Sequence, residues 1–160
     1  MKEIVVQHFF EGHATVQELA ADVAGAFDRR TDSAGTVFSQ LRATPMNHEF
    51  PVQSSHIFKL VDAVRAGDLD PDALDAICFC LEASDHFTWD TDTTDGERIA
   101  NALFWLGTPE VNYPLTSAVI NKIRHYLITG EETFTRDDLR PAAERPHLPT
   151  VNRMDRETDV

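Results

Sequence analysis

The sequence feature that most constrains the fold is a helical segment, residues 97–107, that is apolar around nearly its whole circumference. Its apolar side chains are those of Ile99, Ala100, Ala102, Leu103, Phe104, Trp105 and Leu106. A helix with so little polar surface is stable only when other elements cover it, so we expect it at the centre of the molecule. Thr94 and Glu97 predict its beginning as a capping box, and Gly107 and Pro109 predict its end.

Helical patterns recur in the rest of the chain. Apolar residues at helical spacing predict further helices that begin near Ile4, Val16 and Val37. Three more have a capping residue as their start signal, which is Ser54, Asp70 with Pro71 after it, or Thr116. The first has a β-strand as its alternative, because residues 4–6 are β-branched. The second opens on a capping box formed by Thr15 and Glu18 and should run to Arg30. The third is short and should stop before Pro45.

The length of 160 residues is that of one domain with an ordinary core. We predict an all-α fold, a single compact bundle of six or seven helices, over residues 1–140. Residues 141–160 contain three prolines, many charges and few apolar side chains, so we expect a Pro-rich C-terminal tail there.

The formal net charge of -13 limits the partners that the protein can have. Phosphates of nucleic acids and anionic lipid surfaces would be repelled, so we expect no nucleic acid and no membrane among them. A basic protein partner is compatible with this charge, because opposite potentials speed encounter. Solubility alone is the alternative explanation of the acidity.

The sequence also indicates the compartment. Its apolar runs are far shorter than the ~20 residues of a membrane span, and Met1 to Phe10 does not have the pattern of a secretory signal. Cys78 and Cys80 would point about 200° apart on a helix and could not form a disulfide with each other. We therefore expect a reduced, cytoplasmic protein.

Residues 83–97 carry the densest group of polar and aromatic side chains. The candidate partner-binding residues are Asp85, His86, Phe87, Trp89, Asp90, Asp92 and Asp95. The longer segment 68–97 holds ten acidic residues and no Lys or Arg. Aromatic anchors among carboxylates suit the capture of a basic protein surface. In the alternative, Phe87 and Trp89 pack on the core while the carboxylates remain in water.

Metal and catalytic motifs are weak by comparison. A calcium loop that begins at Asp90 would place its glycine one position late and would have Asn101 where the bidentate Glu belongs. No two of the seven histidines have the i, i+4 spacing of a helical metal site. His86 beside Asp85 could transfer protons, although a histidine in a loop is more often only hydrogen-bonded. We therefore predict no catalytic residue, no metal site and no cofactor.

The N-terminal residues 9–19 read Phe-Phe-Glu-Gly-His-Ala-Thr-Val-Gln-Glu-Leu. With the short apolar helix before them, they resemble the opening of small, acidic, all-helical immunity proteins of bacteria. The resemblance lies within residues 1–30 and rests on a glycine turn and a capping box. It implies a protein that neutralises a cognate toxin, often a basic nuclease, by binding it tightly.

Three functional hypotheses follow from the sequence. The first is a non-enzymatic, immunity-type inhibitor that captures a basic protein, such as a cognate toxin, through residues 85–95. The second is a small metal-dependent or acid/base enzyme that uses His86 with Asp85, Asp90 and Asp92. The third is a structural or regulatory subunit that forms a homodimer through the apolar residues of segment 113–127.

Overall fold

The computed structural model describes residues 1–139. Its helices are α1 (Glu3–Glu11), α2 (Val16–Val23), α3 (Ser54–Ala66), α4 (Pro71–Ala83), α5 (Thr94–Gly107) and α6 (Ser117–Thr129). Its strands are β1 (Phe27–Thr31), β2 (Val37–Leu41), β3 (Phe50–Pro51) and β4 (Phe87–Thr88), and a short 3-10 helix follows at Arg136–Asp138. The tail expected over residues 141–160 lies outside the described residues.

The prediction of an all-α bundle is wrong, because strands β1 and β2 form an antiparallel hairpin with Phe27 opposite Leu41. Helix α2 ends at Val23 and does not continue to Arg30. The chain leaves the helical conformation immediately afterwards, where Gly25 has a φ of 69°. Alternation then replaces helical spacing, since the side chains at positions 27 and 29 are half-buried and those at 28 and 30 are exposed.

The helix predicted from Val37 is strand β2 of this hairpin. A short segment with apolar residues at positions 37, 38 and 41 fits a helix and a strand equally well, so spacing alone does not separate them. The turn between the two segments favours the strand over the helix. The Asp32 carboxylate accepts hydrogen bonds from the N–H groups of Ala34 and Thr36, and Gly35 has a φ of 84°. Such a turn brings the two segments into pairing distance.

The second sheet consists of β3 and β4, which pair in parallel. The N–H of Phe50 donates to the carbonyl of His86, and the N–H of Val52 donates to the carbonyl of Thr88, each at 2.8 Å. Strands of two residues have no recognisable sequence pattern, and their pairing depends on contacts between distant parts of the chain. This sheet fixes the segment before α5 against the segment before α3.

Most helix boundaries agree with the capping signals. The capping box of Thr15 and Glu18 is present, and the Asp70 carboxylate accepts a hydrogen bond from the N–H of Asp72 at the start of α4. The predicted capping residue of α5 is wrong by one position, since the side chain that accepts from the N–H of Gly96 belongs to Thr93. Helix boundaries commonly shift by one residue in this way.

Helix α5 lies in the core, packed against α3, α4 and α6. Its buried apolar residues are Ile99, Ala102, Leu103, Trp105 and Leu106. Phe104 is apolar but is not covered by other elements, because about half of its surface is exposed. Within residues 1–139, no helix combines the length and the hydropathy needed to cross a membrane.

Candidate functional site

Helix α4 divides the acidic segment 68–97 into two groups. Asp70 and Asp72 lie at the beginning of the helix, whereas Asp85 and the acidic residues after it follow its end. The helix has 13 residues, which at 1.5 Å per residue span about 20 Å. The ten acidic residues therefore do not form one surface.

Three residues of the second group, Asp85, Asp90 and Asp92, lie in residues 84–93, which we call the acidic loop, and the other two, Asp95 and Glu97, lie in the first turn of α5. The carboxylate of Asp90 accepts a hydrogen bond from the N–H of Asp92 at 3.0 Å, and the carbonyl of Asp90 accepts one from the Thr93 hydroxyl at 2.7 Å. Gly96 lies directly against this turn, since a Cβ at this position would be 1.8 Å from the Asp90 carbonyl oxygen. These contacts hold the acidic loop tightly against the start of α5.

Four of the predicted binding residues have exposed carboxylates: Asp85, Asp90, Asp92 and Asp95. In the described part of the chain, no Lys, Arg or His side chain forms an ion pair with any of them. Asp95 also has a structural role, because its carboxylate accepts hydrogen bonds from the N–H and the hydroxyl of Ser54. It thereby joins the beginnings of α5 and α3.

The two aromatic residues of the acidic loop have different environments. Phe87 is 4% exposed and packs edge-on against Phe50, with 6.3 Å between ring centroids. It is a core residue and offers no surface to a partner. Trp89 is half-buried and lines an open groove of about 470 Å³, which we call the Trp89 groove. Its walls include Pro51, Val52 and Ile99, and the carboxylate residues Asp90 and Asp95 also line it.

His86 pairs with Glu3 of helix α1, with 3.1 Å between its Nδ1 and the Glu3 carboxylate oxygen, and not with Asp85. Glu3 is 4% exposed, and the same oxygen accepts a hydrogen bond from the N–H of Met46 at 2.9 Å. The pair can orient the imidazole for proton transfer. Among residues 1–139, however, no three metal-binding side chains converge on one point.

A cluster of charged side chains that was not predicted from the sequence lies in a cleft of about 820 Å³ between β1, α2 and the start of α4. Arg29 lines this cleft, and its Nη1 atom lies 2.6 Å from a carboxylate oxygen of Asp75 and 2.8 Å from one of Glu110. Its Nη2 donates to the carbonyl of Gly107 at 2.8 Å, and its Nε donates to the hydroxyl of Ser39 at 3.1 Å. We call Arg29, Asp75 and Glu110 the Arg29 cluster.

Burial raises the pKa of Asp75 to about 7, although the positive charge of Arg29 opposes this shift. The residue is 9% exposed, and its Oδ1 atom accepts no hydrogen bond from any residue in the range 1–139. The sequence contains one signal for this environment. Asp75 precedes Cys78 by three positions, which places it beside the apolar face of α4. Because four groups hold Arg29 to the hairpin and to two helices, we interpret the Arg29 cluster as structural.

Comparison with protein-family models, with curated proteins and with solved structures finds no match to this chain.

Proposed function

We propose that this protein is a non-enzymatic, immunity-type inhibitor that captures a basic protein, such as a cognate toxin, through its acidic loop. The observation that carries the proposal is the combination of four exposed carboxylates, which form no ion pair with another residue of the range 1–139, and the half-buried Trp89 beside them. Interfaces of this kind join an aromatic anchor in a pocket to charged groups at its rim. Phe87 has no part in the proposed interface because it lies in the core.

The overall charge supports the same function. A net charge of -13 creates a negative potential that accelerates encounter with a positively charged partner. The hydrogen bonds that hold Asp90 and Thr93 in the acidic loop reduce the conformational entropy lost on binding. We place the protein in the cytoplasm, since both cysteines are buried free thiols that suit a reducing compartment.

The proposal is tested by affinity capture from a lysate of the native host, washed at low and then at high salt, with mass spectrometry of the retained proteins. The bait is compared with the double variant Asp90→Lys/Asp92→Lys. The matched control is Asp28→Lys/Asp68→Lys, which changes the net charge equally at two exposed positions outside the acidic loop. We expect one basic protein to bind the wild type and the control at low salt and to be lost from the first variant. Equal retention by all three baits would contradict the proposed interface.

A second candidate function, a small acid/base enzyme, is favoured by the contact between Glu3 and His86. The carboxylate holds the imidazole in one orientation, as in sites where histidine is a general base. A thermal shift with calcium, manganese or zinc would indicate the metal-dependent form of this function, because a ligand that binds only the folded state raises its stability. Hydrolytic activity that disappears in His86→Gln would support the metal-free form.

The third hypothesis, a homodimer through segment 113–127, has less structural support. Val119, Ile120, Ile123, Tyr126 and Leu127 are buried within the described fold, so this apolar face is already covered. Light scattering over a concentration series tests self-association directly. A mass that stays at one chain at all concentrations would remove this hypothesis.

A further inference from the structure

We infer that the Trp89 groove binds one arginine side chain of the basic partner. This inference rests on the proposed function and adds the chemical identity of the group that the acidic loop receives.

The walls of the groove suit a long side chain with an apolar stem. Pro51 is exposed and Trp89 is half-buried, so these two residues offer accessible apolar surface, whereas Val52 and Ile99 line the groove but are largely buried. The volume of about 470 Å³ leaves room for an extended side chain to lie along these walls. Arginine and lysine both bury their methylene groups in this way while their charged ends remain near polar atoms.

The charge of the groove selects a cation. Asp90 and Asp95 are the charged residues among those that line it within the described structure. Within residues 1–139, the Asp90 carboxylate accepts one hydrogen bond, from the N–H of Asp92, and the Asp95 carboxylate accepts two, from the N–H and the hydroxyl of Ser54. An ionised carboxylate has about four acceptor positions, so each group retains capacity for a ligand.

The presence of an aromatic ring and two carboxylates favours arginine over lysine. A guanidinium group is planar, stacks on the face of an indole ring and donates hydrogen bonds in a fixed fork that matches carboxylates. A lysine ammonium has no such plane and is more strongly hydrated. The close contact of Gly96 with the Asp90 carbonyl fixes the acidic loop before any ligand arrives.

The test uses the ¹⁵N-labelled full chain at low salt and the tripeptide acetyl-Gly-Arg-Gly-amide as the probe. The protein has two tryptophans, so the indole N–H of Trp89 is followed by NMR with that of the core residue Trp105 as an internal reference. We expect a saturable shift of the Trp89 signal and an unchanged Trp105 signal. The neutral citrulline peptide should bind roughly tenfold more weakly, since hydrogen bonds to charged groups are the stronger ones. The lysine peptide should also bind more weakly.

Variants locate the site. Asp90→Asn removes the charge but keeps a carbonyl acceptor for the N–H of Asp92, so the acidic loop should remain folded and the arginine peptide should bind more weakly. The matched control, Asp28→Asn, loses the same charge on strand β1 and should bind the peptide as the wild type does. The unchanged Trp105 signal verifies the fold in both variants.

Three results would overturn the inference. They are a Trp89 signal that does not shift when the arginine peptide is added, a citrulline peptide that binds as tightly as the arginine peptide, or a lysine peptide that does so. Failure of the inference is distinguishable from failure of the proposed function. A basic partner that is captured through Asp90 and Asp92 without any effect of arginine on Trp89 would retain the function and reject the arginine site. Arginine binding without a captured basic protein would retain the site and reject the function.

Discussion

Arg29 and Asp75 form an ion pair of 2.6 Å between Nη1 and Oδ2, although 46 residues separate them in the chain. Both side chains are largely buried, and the guanidinium also lies 4.8 Å from the ring centroid of Phe27. The pair attaches the β1–β2 hairpin to helix α4. A two-stranded hairpin is marginal by itself in water, so this attachment explains how it remains folded against the helices.

Replacement of Arg29 by Met should destabilise the protein strongly. The apolar stem would be kept, but Asp75 and Glu110 would lose the cation that lies between them. Because Asp75 can take up a proton near neutral pH, part of the cost comes from the Gly107 carbonyl, which loses its hydrogen bond from Arg29, and the loss of a buried partner of this kind costs about 1–3 kcal/mol. Urea unfolding at neutral pH measures the change, and Arg30→Met, at an exposed position of the same strand, is the control. A loss no larger than that of the control would show that the hairpin does not depend on this ion pair.

The raised pKa of Asp75 predicts a specific dependence of stability on pH. The carboxyl group of Asp75 has a pKa of about 7 in the folded protein, whereas its ordinary pKa is 3.8. Between pH 3.8 and about 7 the folded state therefore binds more protons than the unfolded state. The contribution of Asp75 to stability is full below pH 3.8 and is lost as the pH rises through about 7. At ~1.4 kcal/mol per unit, the change is about 4 kcal/mol.

The variant Asp75→Asn isolates this contribution because it cannot titrate. The free energy of unfolding of Asp75→Asn, relative to the wild type, should increase as the pH rises from about 4 to 7. Chemical unfolding at several pH values measures both proteins, with Asp28→Asn as a control at an exposed position. Parallel curves for Asp75→Asn and the wild type would show that Asp75 has an ordinary pKa in the folded state.

The helices could be predicted from the sequence because their signals are local. Capping residues such as Thr15 and Asp70 act within one helical turn, and apolar spacing identifies the buried face. The strands could not be predicted in the same way. Strands β3 and β4 exist because Phe50 and Phe87 pair across 37 positions, and a single sequence contains no local trace of such pairing.

The candidate site was partly predictable for the same physical reason. A run of carboxylates near the start of a helix identifies an exposed acidic loop, and Asp85, Asp90 and Asp92 are indeed exposed. The partners of individual side chains depend on the tertiary fold. Sequence neighbours suggested that His86 pairs with Asp85, but the folded chain brings Glu3 to it from the first helix.

Substitution of Gly96 by Ala should disrupt the acidic loop. The added Cβ would meet the Asp90 carbonyl oxygen at 1.8 Å, and this backbone atom cannot move without opening the turn. Overpacking of this kind typically costs about 1–3 kcal/mol. Thermal unfolding measures the loss, and Glu97→Ala at the next, exposed position is the control. A Gly96→Ala protein as stable as the control would mean that the turn is free to rearrange.

Charge reversal in the acidic loop should change the rate of association with the captured partner more than the rate of dissociation. Exposed carboxylates attract a basic protein over a distance set by salt, about 10 Å at 0.1 M ionic strength. The variant Asp90→Lys/Asp92→Lys should therefore associate much more slowly at low salt and differ less from the wild type at high salt. Stopped-flow measurements over a salt series determine both rates. The control Asp28→Lys/Asp68→Lys alters the net charge equally, so a matching decrease in its association rate would assign the effect to overall charge and would remove the acidic loop from the interface.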